Sequence, residues 1–154
     1  MTFVYNSNND VESYAEFEDV LDTDQRVFDT NEGLSESVIY PFLIKSTERI
    51  INKIIMSDWY SKNSLTSFDS TLIVSKQDYF TDLCVYYALA EFILPHIADF
   101  GNQDTAEYQK MQYYNSKFNM LFNDLLSSSD WYDGDNDGNP DPSISTFYNR
   151  RRVR

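Results

Sequence analysis

Apolar residues fall at helical spacing in three stretches of this chain and lose that rhythm elsewhere. The first stretch runs from about Ser35 to Ser57. Val38 and Phe42, then Ile39 and Leu43, recur four apart, and Ile50, Ile51, Ile54 and Ile55 extend the stripe. Ser35 or Ser37 can cap this helix, and Glu36 suits its first turn. Pro41 is tolerable near the start and would kink the helix deeper in. The second stretch, about Lys76 to Ile93, is apolar round most of its circumference: Phe80, Leu83, Cys84, Tyr87, Ala88 and Phe92, with Val85, Leu89 and Ile93 adjoining. Such a helix belongs at the centre. Pro95 is expected to end or bend it, with an exit at Asp99-Phe100-Gly101-Asn102. The third helix opens at Asp104, with Glu107 three residues on as in a capping box. Met111, Tyr114, Phe118, Leu121 and Leu125 then form a core-facing stripe that implies no cofactor, and the helix runs to about Leu126.

Two regions break the pattern. Residues 1–33 scatter aromatics among Asn, Asp and Glu, and Val20, Leu21, Val27 and Phe28 are too small a cluster for an independent fold. This segment reads as an arm, partly ordered against the body or a partner. Between Asp58 and Ser75, turn-formers surround Thr71-Leu72-Ile73-Val74, which suits a short strand or extended contact, and the loop is expected to touch a neighbour. The fold class is therefore all-α: a small three-to-four-helix bundle with an extended N-terminal arm and a C-terminal tail. Its parts are the arm 1–33, a helical domain 34–129, and an acidic loop with a docking tail 130–154. The few glycines and prolines, four of each in 154 residues, agree with long regular elements.

Charge changes the picture. Four of the twelve basic residues are Arg150, Arg151, Arg152 and Arg154, so residues 1–149 carry eight basic against twenty-five acidic side chains. Such a body repels nucleic-acid phosphate. It suits a soluble acidic surface, a channel that DNA slides past, or a DNA mimic. Cys84 is alone, in an apolar run, and reads as a small buried hydrophobe. The lone His96 cannot assemble a zinc site with no cysteine or second histidine nearby. No signal-peptide pattern or membrane-length apolar run is present, so a soluble, intracellularly made protein is expected, without membrane contact. Nor is there a phosphate loop, His pair or serine elbow, and Glu16 and Glu18 read as a solvated face, so an enzyme is not expected.

The end of the chain carries the remaining chemistry. Asp133, Asp135 and Asp137, followed by Gly138, match the opening of a calcium loop, with Asn139 at position 7 and Asp141 at position 9. Position 12, which wants a bidentate glutamate, is Ile144. The stretch is either a polar Asx/Gly turn without metal or a weak calcium site. Ser143, Ile144, Ser145, Thr146 and Phe147 favour an extended strand that can add to a partner's sheet edge. The arginines after them can bind phosphate or lipid, or dock into an acidic protein groove.

The succession of these pieces resembles the head-to-tail connector (adaptor) proteins of tailed bacteriophages, small helical neck-ring subunits. The likeness lies in the run from Val38 to Ile51, in Tyr86-Tyr87-Ala88-Leu89-Ala90, in the third helix, and in Trp131-Tyr132-Asp133-Gly134-Asp135-Asn136-Asp137-Gly138 before an arginine-containing tail. It covers residues 35–154. The resemblance implies a homo-oligomeric ring, commonly a dodecamer, bound beneath the portal protein in the virion neck after assembly in the host cytoplasm. Such a ring receives the next neck or tail protein and lets DNA pass without specific binding. It also implies that Ser143 to Arg154 is the portal-docking segment, with Ile144, Phe147, Tyr148, Arg150, Arg151, Arg152 and Arg154 in contact. Two other readings stay open from the residues: a small calcium-responsive binding protein, and an acidic DNA-mimic inhibitor.

Overall fold

The most apolar helix is held between the other two long ones, as its pattern requires. The computed structural model describes residues 3–31, 33–97, 106–128 and 130–138. Its elements are β1 (Val4–Tyr5), β2 (Val11–Ser13), α1 (Phe17–Thr23), α2 (Gln25–Thr30), α3 (Glu36–Ile55) and α4 (Asp58–Lys62). A 3-10 turn at Ser70–Leu72 leads to α5 (Gln77–Ala88), a π turn at Leu89–Ile93, α6 (Leu94–Ile97) and α7 (Ala106–Ser128). Phe80, Leu83, Cys84, Val85 and Ala88 of α5 are all buried, and α5 packs against both α3 and α7. From α3, Ile39, Leu43, Ile50 and Ile54 reach the same core; from α7, Tyr114, Phe118 and Leu125 do. Met111 and Leu121 pack at its edge. The expected exit from α5–α6 and the Asp104 cap lie outside the described residues.

Pro95 does not end its helix. It has no N–H to return to the preceding turn, and the chain meets this with a π turn directly before it: the Leu94 amide donates to Leu89 O, five residues back. The helical path then continues through Pro95 to Ile97. Pro41 sits inside α3, in its second turn, and Ser35 occupies the N-cap position.

Residues 3–31 are not an extended arm. β1 and β2 form an antiparallel hairpin, which also makes the fold mainly rather than wholly helical. Its turn is built by Asn6, whose Oδ1 accepts from the amides of Asn8 (2.9 Å) and Asp10 (3.1 Å) while Asn9 takes a left-handed φ of 63°. The hairpin delivers Phe3, Tyr14 and Ala15 to the core, and α1 and α2 add Val20 and Val27. Tyr14 is fully buried, its ring 4.8 Å from Phe3 and 5.3 Å from Phe80. Its amide donates to Thr47 Oγ1 (3.0 Å), its carbonyl accepts from Thr81 Oγ1 (2.7 Å), and its hydroxyl shares a 2.6 Å hydrogen bond with Ser70 Oγ. Burial, only partly offset by the Ser70 bond, pushes the Tyr14 hydroxyl pKa well above its ordinary value.

A second tie joins the α1–α2 junction to α7. Asp24 caps α2 by accepting from the Val27 amide, and its carboxylate also takes Lys110 Nζ (3.0 Å) and the Tyr114 hydroxyl (2.8 Å). A buried carboxylate is tolerable here because both of its oxygens have partners, one of them a cation.

Replacing Tyr14 by Ala is expected to cost roughly 3–5 kcal/mol in chemical denaturation, the range for deleting a buried aromatic. Tyr5→Ala in the same hairpin, where the ring is 50% exposed, should change stability by less than about 0.5 kcal/mol. Equal small losses would mean that the hairpin is peripheral.

Candidate cation-binding loop

The acidic loop begins from a fixed point. Trp131 is fully buried, stacked on Trp59 of α4 at 4.5 Å and edge-on to Phe80 at 5.0 Å, and its indole N–H donates to Leu125 O (2.9 Å). Tyr132 stacks on Phe68 at 5.0 Å and accepts from the Asp69 amide at its hydroxyl (3.1 Å). The backbone is tied as well. The Val74 amide donates to Trp131 O (3.0 Å), the Asp133 amide donates to Leu72 O (2.9 Å), and Ile73 bridges Tyr132 antiparallel. At the entrance, Lys76 Nζ pairs with Asp130 at 2.7 Å and holds that carboxyl below its ordinary range. Of the extended contact expected at 71–74, Thr71 and Leu72 belong to the 3-10 turn, while Ile73 and Val74 make the contact, against the chain's own 130–133 segment. Those residues belong to the body, not to a separate tail, because stacked aromatics and paired backbone groups are worth more inside than in water.

From this clamp the loop folds back on Asp133. Asp133 is buried at 1% exposure, whereas Asp135 and Asp137 are exposed. Asp133 Oδ1 accepts from the Asp137 amide (3.1 Å) and Oδ2 from the Gly138 amide (2.7 Å); Asp135 Oδ1 also faces the Asp137 amide at 3.2 Å. Asn136 takes φ 58° and Gly138 φ 90°. At Gly138 a Cβ would meet nothing within 4 Å, so the backbone angle and not space calls for glycine. Asparagine tolerates the same region because its short amide can bond locally.

The result brings one carboxylate oxygen from each of Asp133, Asp135 and Asp137 to within 4.8 Å of the others. Desolvation raises the Asp133 carboxyl, but amide bonds from Gly138 and Asp137 and contacts from its aspartate neighbours outweigh it, so its pKa lies below the ordinary value. Three hard oxygens converging in a tight turn suit Ca²⁺, with backbone and water oxygens completing the shell. Of the predicted ligands, Asn139 and Asp141 lie outside the described residues, as do Ile144, Phe147, Tyr148, Arg150, Arg151, Arg152 and Arg154.

The other chemistry-bearing side chains are placed apart from this loop. Cys84 is fully buried, and desolvation pushes its thiol up to about 11 despite help from Thr47, so it stays protonated at neutral pH. His96 is exposed on α6, its ring 6.0 Å from Phe42. The clamp partners Trp59, Phe68 and Lys76 were not singled out from the sequence. The signal available was the Trp131-Tyr132 pair directly before the aspartates, since large aromatics beside a polar loop need an apolar seat. Compared with protein-family models, curated proteins and solved structures, the chain matches none of them.

Asp135→Ala and Asp137→Ala should leave the thermal midpoint near wild type while loosening the loop, seen as faster amide exchange at Asp137 and Gly138. Asp133→Ala should lower the midpoint more than either, because it removes the acceptor of two amides. An equal fall for all three would contradict this division.

Proposed function

We propose that this chain is a structural subunit of a tailed-phage virion, a connector that forms a ring beneath the portal and carries the DNA channel towards the tail. The observation that carries the reading is the seat of Trp131, Tyr132 and Asp133 in the core: the sequence that runs on to the arginines starts from a clamped position. A docking segment works best from such a point, because a fixed origin limits the volume that its end must search. The contrast of charge supports the same reading. An acidic body can line a passage that does not hold DNA, while the arginines at the end supply a planar, multidentate contact for a protein surface.

In this mechanism residues 143–154 order against the portal. Ordering costs conformational entropy, so one copy binds modestly, and a ring of copies gains through avidity. Two measurements test it. Quantitative mass spectrometry of purified particles should find about a dozen copies per virion, as a closed ring requires. Deleting residues 143–154 should leave the circular dichroism of the helices intact and abolish attachment to capsids. Absence from particles, or attachment without the tail, would sink the reading.

A second reading is favoured by the three convergent carboxylates: a weak calcium site, filled by Asp133, Asp135 and Asp137, that stiffens the point from which the tail departs. Terbium, which takes calcium's oxygen ligands, should luminesce through excitation of nearby Trp131 and be displaced by millimolar calcium. Asp135→Asn with Asp137→Asn should remove that signal. No sensitised emission would discard the cation.

A further inference from the structure

A second acidic feature lies on the opposite half of the sequence, where the hairpin, α1 and the start of α3 meet. These elements leave an open groove of about 590 Å³. Its floor includes Phe17, Leu21 and Tyr40, all partly buried, and its rim carries Glu16, Glu18 and Glu36, all exposed. Glu12 stands behind Tyr40, accepting from its hydroxyl at 3.0 Å. Burial together with that carboxylate pushes the Tyr40 pKa up to about 12, so the hydroxyl stays neutral and adds no further charge. Among the described residues no lysine or arginine pairs with the three rim glutamates: the ion pairs are Lys76–Asp130 and Lys110–Asp24. Glu16 and Glu18, which read as a solvated face from the sequence, and Glu36 at the first turn of α3 thus border an apolar floor with no cation beside them among the described residues.

We propose that this groove takes the end of the same chain, residues 147–154, with Phe147 and Tyr148 on the floor and the arginines against the rim. Charge complementarity selects this occupant. The body's eight basic residues are spread through 149 positions, whereas four arginines are concentrated at 150–154. Guanidinium groups pair with carboxylates through two parallel N–H donors, which suits a rim of several glutamates. Two aromatic side chains directly before the arginines match a floor that is itself aromatic and aliphatic. The tether from Gly138 to Phe147 can extend about 30 Å, about twice the radius of gyration expected for a body of this size. A tether of that length gives an effective concentration in the millimolar range, enough to fill a weak site. The tail is then parked on its own body, and any external docking surface must displace it. This does not rest on the portal reading, since no capsid component enters it.

Trypsin provides the test on the full chain, because cleavage after Arg150, Arg151 and Arg152 requires an undocked tail and its rate follows the open population. Release of tail fragments is followed by mass spectrometry. The variant Glu16→Gln/Glu18→Gln/Glu36→Gln should release them at least about threefold faster than wild type, while the matched control Glu48→Gln/Glu91→Gln/Asp124→Asn, of equal charge change on other exposed faces, should not. Equal rates in wild type and the groove variant would overturn the proposal, and so would equal acceleration in the control. Protection that grows with protein concentration would overturn the same-molecule assignment in favour of a second copy. If the groove variant fails to fold, wild type alone decides. Its cleavage relative to a free 143–154 peptide should be slow at low salt and approach the peptide's at high salt, and a ratio independent of salt would refute docking by charge.

Discussion

Tyr14 must satisfy three polar groups in a place that water does not reach, and the other elements are arranged around that requirement. Its amide, carbonyl and hydroxyl go to Thr47 on α3, Thr81 on α5 and Ser70 in the 3-10 turn. Thr47 donates to Leu43 O of its own helix (3.0 Å), which turns its oxygen to the Tyr14 amide, and the single Thr81 proton lies between Tyr14 O and the more distant Gln77 O (3.3 Å). Sliding either helix by one residue would leave a buried group unpaired, at about 1–3 kcal/mol each. Among the described residues no buried side-chain nitrogen or oxygen lacks a partner. The hydrophobic effect explains why the ring is inside. The hydrogen bonds explain why α3 and α5 have one relative setting, since apolar packing alone tolerates several.

The three long helices were legible because each buries one stripe, and a stripe at 3.6-residue spacing is a local property of the sequence. α3, α5 and α7 appear close to where their periodicity places them, and the centrality of α5 follows from its apolar circumference. The N-terminal segment was not legible for the opposite reason. Tyr14 stands between Ser13 and Ala15 in a run of acidic residues, and its burial is set by hydroxyls 33 to 67 residues away. No window of the sequence contains that information. The π turn before Pro95 was missed because proline marks a disturbance without saying how the helix absorbs it.

At the acidic loop, the carboxylate spacing was readable and the clamp was not. Alternating aspartates with asparagine and glycine at the positive-φ positions specify the turn locally. Where the turn sits is decided by Trp59, Phe68 and Phe80, which belong to other parts of the chain. A polar composition continues through Asp130 to Asp141, but Trp131 and Tyr132 within it are core. Asp133 marks the change from one regime to the other, buried at its backbone end and directed at the loop by its carboxylate.

Both tryptophans of the chain lie in that clamp, their rings stacked 4.5 Å apart. Intrinsic indole fluorescence is therefore blind to most of the helical body and reports one seam, where α4 and the 68–76 segment grip the start of the loop. Far-ultraviolet dichroism is dominated by α3, α5 and α7 and reports the rest. The two signals divide the molecule between them without any label. Their coincidence or separation during unfolding measures whether the grip on the chain's end and the fold behind it are one cooperative unit or two.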